Sequence, residues 1–415
     1  MMEKQDLIEA KKFDRIDMGW ISMSIGMAIG AGIVFLPVQA GVLGLWVFLL
    51  SSVVGYPAMY LFQRLFIHTL VEAQVCEDYS GVISRYLGKN WGFLLGVLYF
   101  VMLIIWAFIY VLAITNDSAS YLQSFGLTTN LWSENAWYAL LLIVSLVSVA
   151  SSQERFLLAI SGSMAILVLA VVAVMGFLLV PYWKIEHIGT VDHSVQLIQS
   201  AISTLPFTLT SILFLQSLSP MVISYRARYK SIDLARYKAT RAMNIAFMIL
   251  FVVVFFFAVS FTLAISQEQA MDAKMQNISA LAIIAQYYPG SWINYIGIVI
   301  NIFAVVTSFF GVFLATREAV GGVLNNVLSR CDRRLSAQAI SRLATGALIL
   351  LFWAVALSNL PILKLAGLSG PIFGLVGCLI PAYLVYKVDI LQKYRGRSIY
   401  FIIFTGLLLC VSPFF

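Results

Sequence analysis

Two stretches of this chain hold the residue types that could do chemistry. Ser24 to Pro37 reads SIGMAIGAGIVFLP, with Gly26, Gly30, Gly32 and Pro37 inside an otherwise apolar run. Each glycine weakens a helix by roughly 1 kcal/mol relative to alanine. A helix unwound at Gly30-Ala31-Gly32 frees backbone N–H and C=O groups. Lipid tolerates such groups only where they line a cavity and bind something. The second stretch, STLPFTLTSILFLQSLSPMVIS, opens near Pro206 and sets Gln216-Ser217-Leu218-Ser219-Pro220 where a helix should continue. Pro220 removes one N–H donor and clashes with the preceding turn. Helix N-termini exposed by a break attract a carboxylate, and unwound carbonyls attract an ammonium. Ala31, Gly32, Ser217 and Ser219 therefore suit both ends of a zwitterion without a charged side chain. Each stretch also has a plainer reading. The glycines serve close helix contacts, and Pro220 makes a kink whose carbonyls Ser217 and Ser219 satisfy.

Other polar groups are few. Tyr110 lies about 28 Å along a helix begun near residue 92. Its hydroxyl can cover a substrate carboxylate or, as buried tyrosines commonly do, bond a neighbouring carbonyl. Asn116 and Asp117 mark either an outer gate or the membrane interface, and the interface is the reading adopted. Asn301, Thr307 and Ser308 share one span. Thr307 and Ser308, beside carbonyls freed by the first break, have the oxygen ligands a small hard cation prefers. The simpler alternative is hydroxyls bonded to their own helix. No Asp, Glu, Lys or His falls at mid-depth of a span. His68 ends the second span, and His187 and His193 sit in a connection. Metal binding and hydrolysis lack a constellation: no paired carboxylates, histidine cluster or nucleophile motif. Cys76, Cys331, Cys378 and Cys410 show no ligand spacing, and a disulfide framework is not expected.

The elements that must position these groups are membrane spans. Of the 415 residues, 61% are hydrophobic and 11% charged, where a soluble domain carries about 25% charged. The first 17 residues are polar and show no signal-peptide pattern. Eleven apolar stretches near the length a bilayer requires fall at 18–38, 43–68, 92–121, 136–151, 157–181, 198–222, 242–265, 292–316, 343–360, 369–387 and 398–413. With the N-terminus inside, 23 of the 26 Lys and Arg lie in cytoplasmic connections, leaving Lys184, Lys274 and Lys364 outside. This is the positive-inside bias, so the run Arg226, Arg228, Lys230, Arg236, Lys238, Arg241 reads as orientation, with no nucleic-acid role. An odd number of spans puts the C-terminus outside. The two interruptions fall in spans one and six. Five spans apart is an odd offset, as in an inverted repeat about an axis in the membrane plane.

These motifs resemble the hydroxy and aromatic amino acid permease family of bacterial inner-membrane symporters. AIGAGIVFLP carries the likeness in the first span. AITN at 113–116, SPMVIS at 219–224, QNISAL at 276–281, Arg317-Glu318 and SGPI at 369–372 resemble its serine and threonine branch, on the side tied to cysteine and D- or L-serine uptake. They occur in order along nearly the whole chain. The resemblance implies an all-α membrane protein of eleven transmembrane helices, a leucine-transporter type 5+5 inverted repeat plus one extra helix. It implies proton-coupled import of a small amino acid. By similarity the substrate lies near Ala28, Gly30, Ala31, Gly32, Ser217, Ser219 and Pro220; Tyr110 joins this set only on the residue-based argument above. Gly30, Thr307 and Ser308 are the ion-coupling candidates. The sequence departs from the pattern at Thr307, where some relatives have lysine, and in the fifth span, which lacks the lysine of some proton-driven cousins. A Thr-Ser pair resembles the sodium site of sodium-driven members, so sodium stays open beside the proton.

The expected organisation is a cytoplasmic segment 1–17, a first five-helix repeat 18–181, a second 198–387, and an eleventh helix with a periplasmic end at 398–415. No enzyme activity, cofactor or metal is expected; the partners are a small amino acid and lipid. The rival reading is an amino-acid-sensing receptor on the same fold. The segment around Gln276-Asn277-Ile278-Ser279, with the apolar run that follows, is expected either to cap the outer vestibule or to float as an interfacial helix.

Overall fold

The computed structural model describes residues 9–73, 79–152, 154–188, 194–287, 292–330 and 336–415. Among these there are helices and no strand. In chain order the helices are α1 (Arg15–Ala28), α2 (Ala31–Leu43), α3 (Leu45–Glu72), α4 (Tyr79–Leu87), α5 (Lys89–Ser124), α6 (Ala136–Ser152), α7 (Glu154–Leu179), α8 (Ser194–Thr210), α9 (Leu215–Arg228) and α10 (Ile232–Ala264). They continue as α11 (Gln267–Met275), α12 (Ala280–Tyr287), α13 (Trp292–Arg330), α14 (Ala337–Ser358), α15 (Ile362–Leu368), α16 (Gly370–Phe373), α17 (Ile380–Lys387) and α18 (Arg397–Val411). Cys76, Cys331 and His193, and the side chain of Asn301, lie outside the described residues.

Among the described residues seven helices are long and apolar enough to cross a bilayer, eight if the bent pair α8–α9 is one span. Two further apolar helices, Ala136–Ser151 and Ile166–Tyr182, are shorter. The first expected span is divided between α1 and α2, neither long enough alone. The count of eleven therefore stays an expectation. The tenth expected span begins earlier than residue 369: helix starts at Ile362 and runs through a π-helical stretch, Gly374–Leu379, into α17.

The helices gather in two groups. In one, α3 and α10 interlock through aromatic rings: Tyr56 meets Phe251 edge-on at 5.0 Å and Tyr60 meets Phe247 at 5.3 Å. The same α3 packs closely on α8. A Cβ on Gly55 would come within 2.7 Å of Thr208, and the Ser51 and Thr208 hydroxyls bond at 2.9 Å. Small residues let helix backbones approach where lipid gives no hydrophobic drive. In the other group, Phe108 of α5, Phe309 and Phe313 of α13 and Phe352 of α14 form one ring cluster. Helix α7 touches both groups. Large apolar side chains such as Leu141, Phe177, Leu350 and Phe404 point outward, as a lipid-facing surface requires.

The helix starts follow local chemistry. Asp14 caps α1, accepting from the Ile16 and Asp17 N–H groups, while Asp17 returns a bond to the Asp14 N–H. This capping box starts the helix at Arg15, ahead of the apolar stretch. The helix ends at Ala28 because Ile29 and Gly30 are extended, with φ/ψ of −73/112° and −175/−156°.

The second interruption is displaced from its expected place. The chain unwinds between Thr210 and Leu215, with α8 and α9 bent by 41°, whereas Gln216 to Pro220 lie inside α9. Pro220 is that helix's sixth residue, so only the bond to the Gln216 carbonyl is missing and the helix continues. The unwound residues Ser211-Ile212-Leu213-Phe214 contain no breaker. Their conformation goes with a close approach from the first break, described next.

Candidate functional site

The two interruptions lie against each other. A Cβ on Gly32 would come within 2.7 Å of the Thr210 carbonyl and 2.9 Å of the Ser211 Cα. Only glycine permits that approach, because backbone atoms cannot swing aside. On the other side of the first break, a Cβ on Gly30 would collide with the Tyr110 hydroxyl and lie 3.2 Å from Ser308 Oγ. Gly30 is extended, a conformation open to any residue. Space, and not φ, dictates this glycine.

Each interruption joins the end of one helix to the start of another. Helices α1 and α8 end here with carbonyls directed onward, and α2 and α9 start here. The first N–H groups of a helix lack intrahelical acceptors, and that end carries partial positive charge. The meeting point of the two interruptions thus holds both polarities from backbone alone.

Side chains tie the interruptions in place. Ser308 Oγ, from α13, donates to the Ile29 carbonyl at 2.8 Å, a group the break has freed. Ser24 of α1 and Ser217 of α9, both buried, bond through their hydroxyls at 2.9 Å, and Ser217 Oγ also donates to the Phe214 carbonyl. Thr210 Oγ1 donates to the Pro206 carbonyl at 2.7 Å, and Ser211 Oγ to Thr208 at 2.8 Å. Ala28 closes α1, Ala31 opens α2, and Ser219 and Pro220 sit half-buried in α9. Structure therefore brings Gly30, Gly32, Tyr110 and Ser308 together at the interruptions. Thr307 behaves differently: its hydroxyl donates to the Phe303 carbonyl of its own helix at 2.7 Å.

Both ends of the helix bundle are closed by polar knots. At the end with the basic connections, Asp17 is 1% exposed and Lys238 is 0% exposed. Asp17 Oδ2 meets Lys238 Nζ at 3.1 Å and Arg241 at 2.6 Å, and Tyr225 donates its hydroxyl to Oδ1 at 2.6 Å. Burial pushes the Asp17 carboxyl up, but the Tyr225 hydroxyl, the Asp14 N–H and Lys238 outweigh it and hold it below the usual carboxylate range. Arg241 and Lys238 also donate to the carbonyls of Ala10 and Lys12, strapping the N-terminal segment down. A second knot joins Glu72 to Arg236, Lys393 and Tyr394. Three members of the basic run, Arg236, Lys238 and Arg241, thus hold buried carboxylates.

At the opposite end, amides dominate. Asn116 Nδ2 donates to Asn359 Oδ1 at 3.1 Å and the Asn277 carbonyl at 3.4 Å. Asn277 Nδ2 donates to Asn359 Oδ1, and Asn277 Oδ1 accepts from the Ile362 N–H. Asp117 Oδ1 accepts from the Ser279 N–H at 2.8 Å. Asn116 and Asp117 are 4% and 3% exposed: they are buried against other helices and fasten α5 to the segment before α12. Helix α12 itself is buried, with Ala280 to Ile284 no more than 2% exposed. It is a packed cap and not a floating interfacial helix. An opening of about 390 Å³ lies beside it, bordered by Gln123, Gln276 and Gln286.

Sequence reasoning did not single out Ser24, Thr210, Asp17 or Asn359. Partners some 200 residues apart leave no local signal. Asn277 and Asn359 both adopt positive φ, 54° and 42°, the left-handed region that asparagine tolerates best after glycine.

No protein-family model matches the chain. Among known proteins it is 58% identical to a serine transporter of Escherichia coli O157:H7, covering 100% of this chain and 94% of that one. It is 28% identical to the serine transporter SdaC of Escherichia coli K12, covering 97% and 95%. Among solved structures, MhsT in complex with L-phenylalanine aligns with a TM-score of 0.55 at 14% identity, covering 97% of both chains. A manganese transporter of Eremococcus coleocola aligns at 0.58 and 12% identity, covering 96% and 85%. The structural likenesses show the fold alone: leucine-transporter type, in a multi-pass membrane protein.

Proposed function

The chain belongs to the serine and threonine transporter family, and from that membership we infer that it is a secondary symporter carrying a small polar amino acid, serine first, across the bacterial inner membrane. The observation that carries the site is the contact of the two interruptions at Gly32 and Thr210–Ser211. Their helix ends supply N–H groups for a carboxylate and carbonyls for an ammonium. Ala28, Gly30, Ala31, Gly32, Ser217, Ser219 and Pro220 surround that region, and Tyr110 borders it.

Movement follows from the break positions. Residues 18–181 and 198–387 act as two inverted five-helix repeats, and one helix group rocks against the other about the interruptions. The positive-inside count supports a cytoplasmic N-terminus and a periplasmic C-terminus.

Two ions can drive import. A proton is the first reading. The bond from Ser308 to the Ile29 carbonyl and the turn of Thr307 toward its own helix support it, since a cation at Ser308 has to displace that bond. Sodium is the second, because the same oxygens are its preferred ligands.

The test is uptake of radiolabelled serine by proteoliposomes under imposed proton or sodium gradients, with cysteine, threonine and D-serine as competitors. Accumulation against a gradient separates a transporter from a sensing receptor, which binds without accumulation. Gly32→Leu and Ser219→Leu should abolish uptake while the protein still inserts. Normal uptake by both would place the substrate elsewhere.

A further inference from the structure

We propose that Tyr56 of α3 is a positioning residue for transport: its hydroxyl bonds Ser211 when substrate binds and fixes the unwound segment of the second interruption. The role rests on the symporter reading above, which places the substrate at the two interruptions.

Ser211 is the first residue of the unwound segment, and two helices close on it. Gly32 of α2 comes so near that a Cβ there would lie 2.9 Å from the Ser211 Cα. The other helix is α3. A Cβ on its Gly55 would come within 2.7 Å of the Thr208 side chain, and Ser51 bonds the Thr208 hydroxyl at 2.9 Å. This close seat brings the next residue, Tyr56, to Ser211, with its hydroxyl beside the serine side chain.

The Tyr56 ring has little freedom. It is 3% exposed. Phe251 meets it edge-on at 5.0 Å and Phe255 at 6.3 Å. The clamp fixes where the hydroxyl lies, so the unwound segment is the part that shifts to meet it.

The hydroxyl is buried and makes no hydrogen bond in this conformation. A buried hydroxyl without a partner costs stability, and phenylalanine would fill the same space without that cost. Such a group calls for an explanation, and Ser211 supplies one. Its Oγ donates to the Thr208 carbonyl at 2.8 Å, which leaves oxygen lone pairs open to a donor. Tyr56 has an O–H donor to give. Residues 211–214 lie outside both α8 and α9, so a small displacement there joins the two groups without breaking either helix. A substrate whose charged ends engage the segment's backbone selects one arrangement of it. The Tyr56–Ser211 bond belongs to that arrangement and therefore strengthens substrate binding. Ser51 and Thr208 are already bonded to each other and do not take this part.

The test uses the full-length protein in proteoliposomes and in detergent. Tyr56→Phe keeps the ring and deletes only the hydroxyl. The KM for serine uptake should rise about three- to ten-fold, the worth of one neutral hydrogen bond, with the maximal rate changed less than about two-fold. The thermal midpoint without serine should equal or exceed that of the parent, because an unpaired buried hydroxyl is gone. Saturating serine should raise the midpoint less than it does in the parent. Ser211→Ala should also raise KM, and in that background Tyr56→Phe should change nothing further. Tyr79→Phe is the control. Tyr79 has an equally buried, unpartnered hydroxyl, but it stacks on Phe66, about 15 Å further along α3 than Tyr56, and its removal should leave KM unchanged. An unchanged KM in Tyr56→Phe, a rise matched by Tyr79→Phe, or multiplying effects in the double variant would overturn the role. So would a lowered serine-free midpoint with an unchanged response to serine, the mark of plain packing. If the parent binds serine without accumulating it and Tyr56→Phe weakens that binding, the symporter reading falls and the positioning role stands.

Discussion

The two ends of this molecule are closed by different chemistry. The end with the basic connections uses ion pairs: Asp17 with Lys238 and Arg241, and Glu72 with Arg236 and Lys393. The other end uses amides and one carboxylate on a backbone N–H. A buried ion pair is costly to break, since removing one partner strands a desolvated charge. An amide bond contributes only about 1 kcal/mol net and is readily exchanged with water. The first end is built to stay tied within one helix group, because α1, α9 and α10 meet there. The second joins α5, the cap and the turn before α15, and each of its bonds is individually weak enough to be remade during a cycle.

The sharpest way to break the comparison is Asp17→Asn. It leaves the fully buried Lys238 facing a neutral group, and should lower stability by about 3–5 kcal/mol. Thermal unfolding in detergent, followed by loss of monodisperse protein, measures it. A loss under 1 kcal/mol would erase the distinction between the ends. Next comes Asn277→Ala, which forfeits the amide bonds and puts at φ 54° a residue that tolerates the left-handed region less well than asparagine. A left-handed residue costs roughly 1–2 kcal/mol, so the expected loss is about 2–3 kcal/mol with the lost bonds included. Asn277→Gly, free of the backbone cost, should lose about 1 kcal/mol, and equal losses for the two variants would show that strain has no part. The last test reads the Asp17 contact through pH. Asp17 titrates below its ordinary value in the folded protein. Its contribution is therefore complete above the unfolded value of about 4 and fades as pH falls through the lower folded value. Thermal midpoints of the parent and Asp17→Asn should stay apart from pH 7 to about pH 5 and converge only below about pH 4. Convergence already at pH 6 would mean that Asp17 is not held ionised by its neighbours.

Much of the fold was legible. Apolar runs marked the helices, since lipid forces backbone bonding inside each span. Glycine spacing located the first interruption within one or two residues, because Gly30 and Gly32 serve close approach. The second interruption was misjudged by about five residues. Pro220 and its polar neighbours looked like the break, yet a single missing bond early in a helix is cheap, whereas a run of four unwound residues needs a partner surface. That Asn116 and Asp117 fasten α5 to the cap is not legible in the sequence for a similar reason: their partners at 277, 279 and 359 are remote in the chain.

By itself the sequence determined that this chain is a bundle of lipid-facing helices, with glycine where a helix had to yield. Those properties are local, written in the transfer energy of successive side chains. Only the tertiary structure decided which freed carbonyl Ser308 would meet, where the second interruption would open, and which carboxylates would be tied by cations and which by a helix end. Those outcomes depend on contacts between residues far apart in the chain, whose energies exist only after the helices have packed.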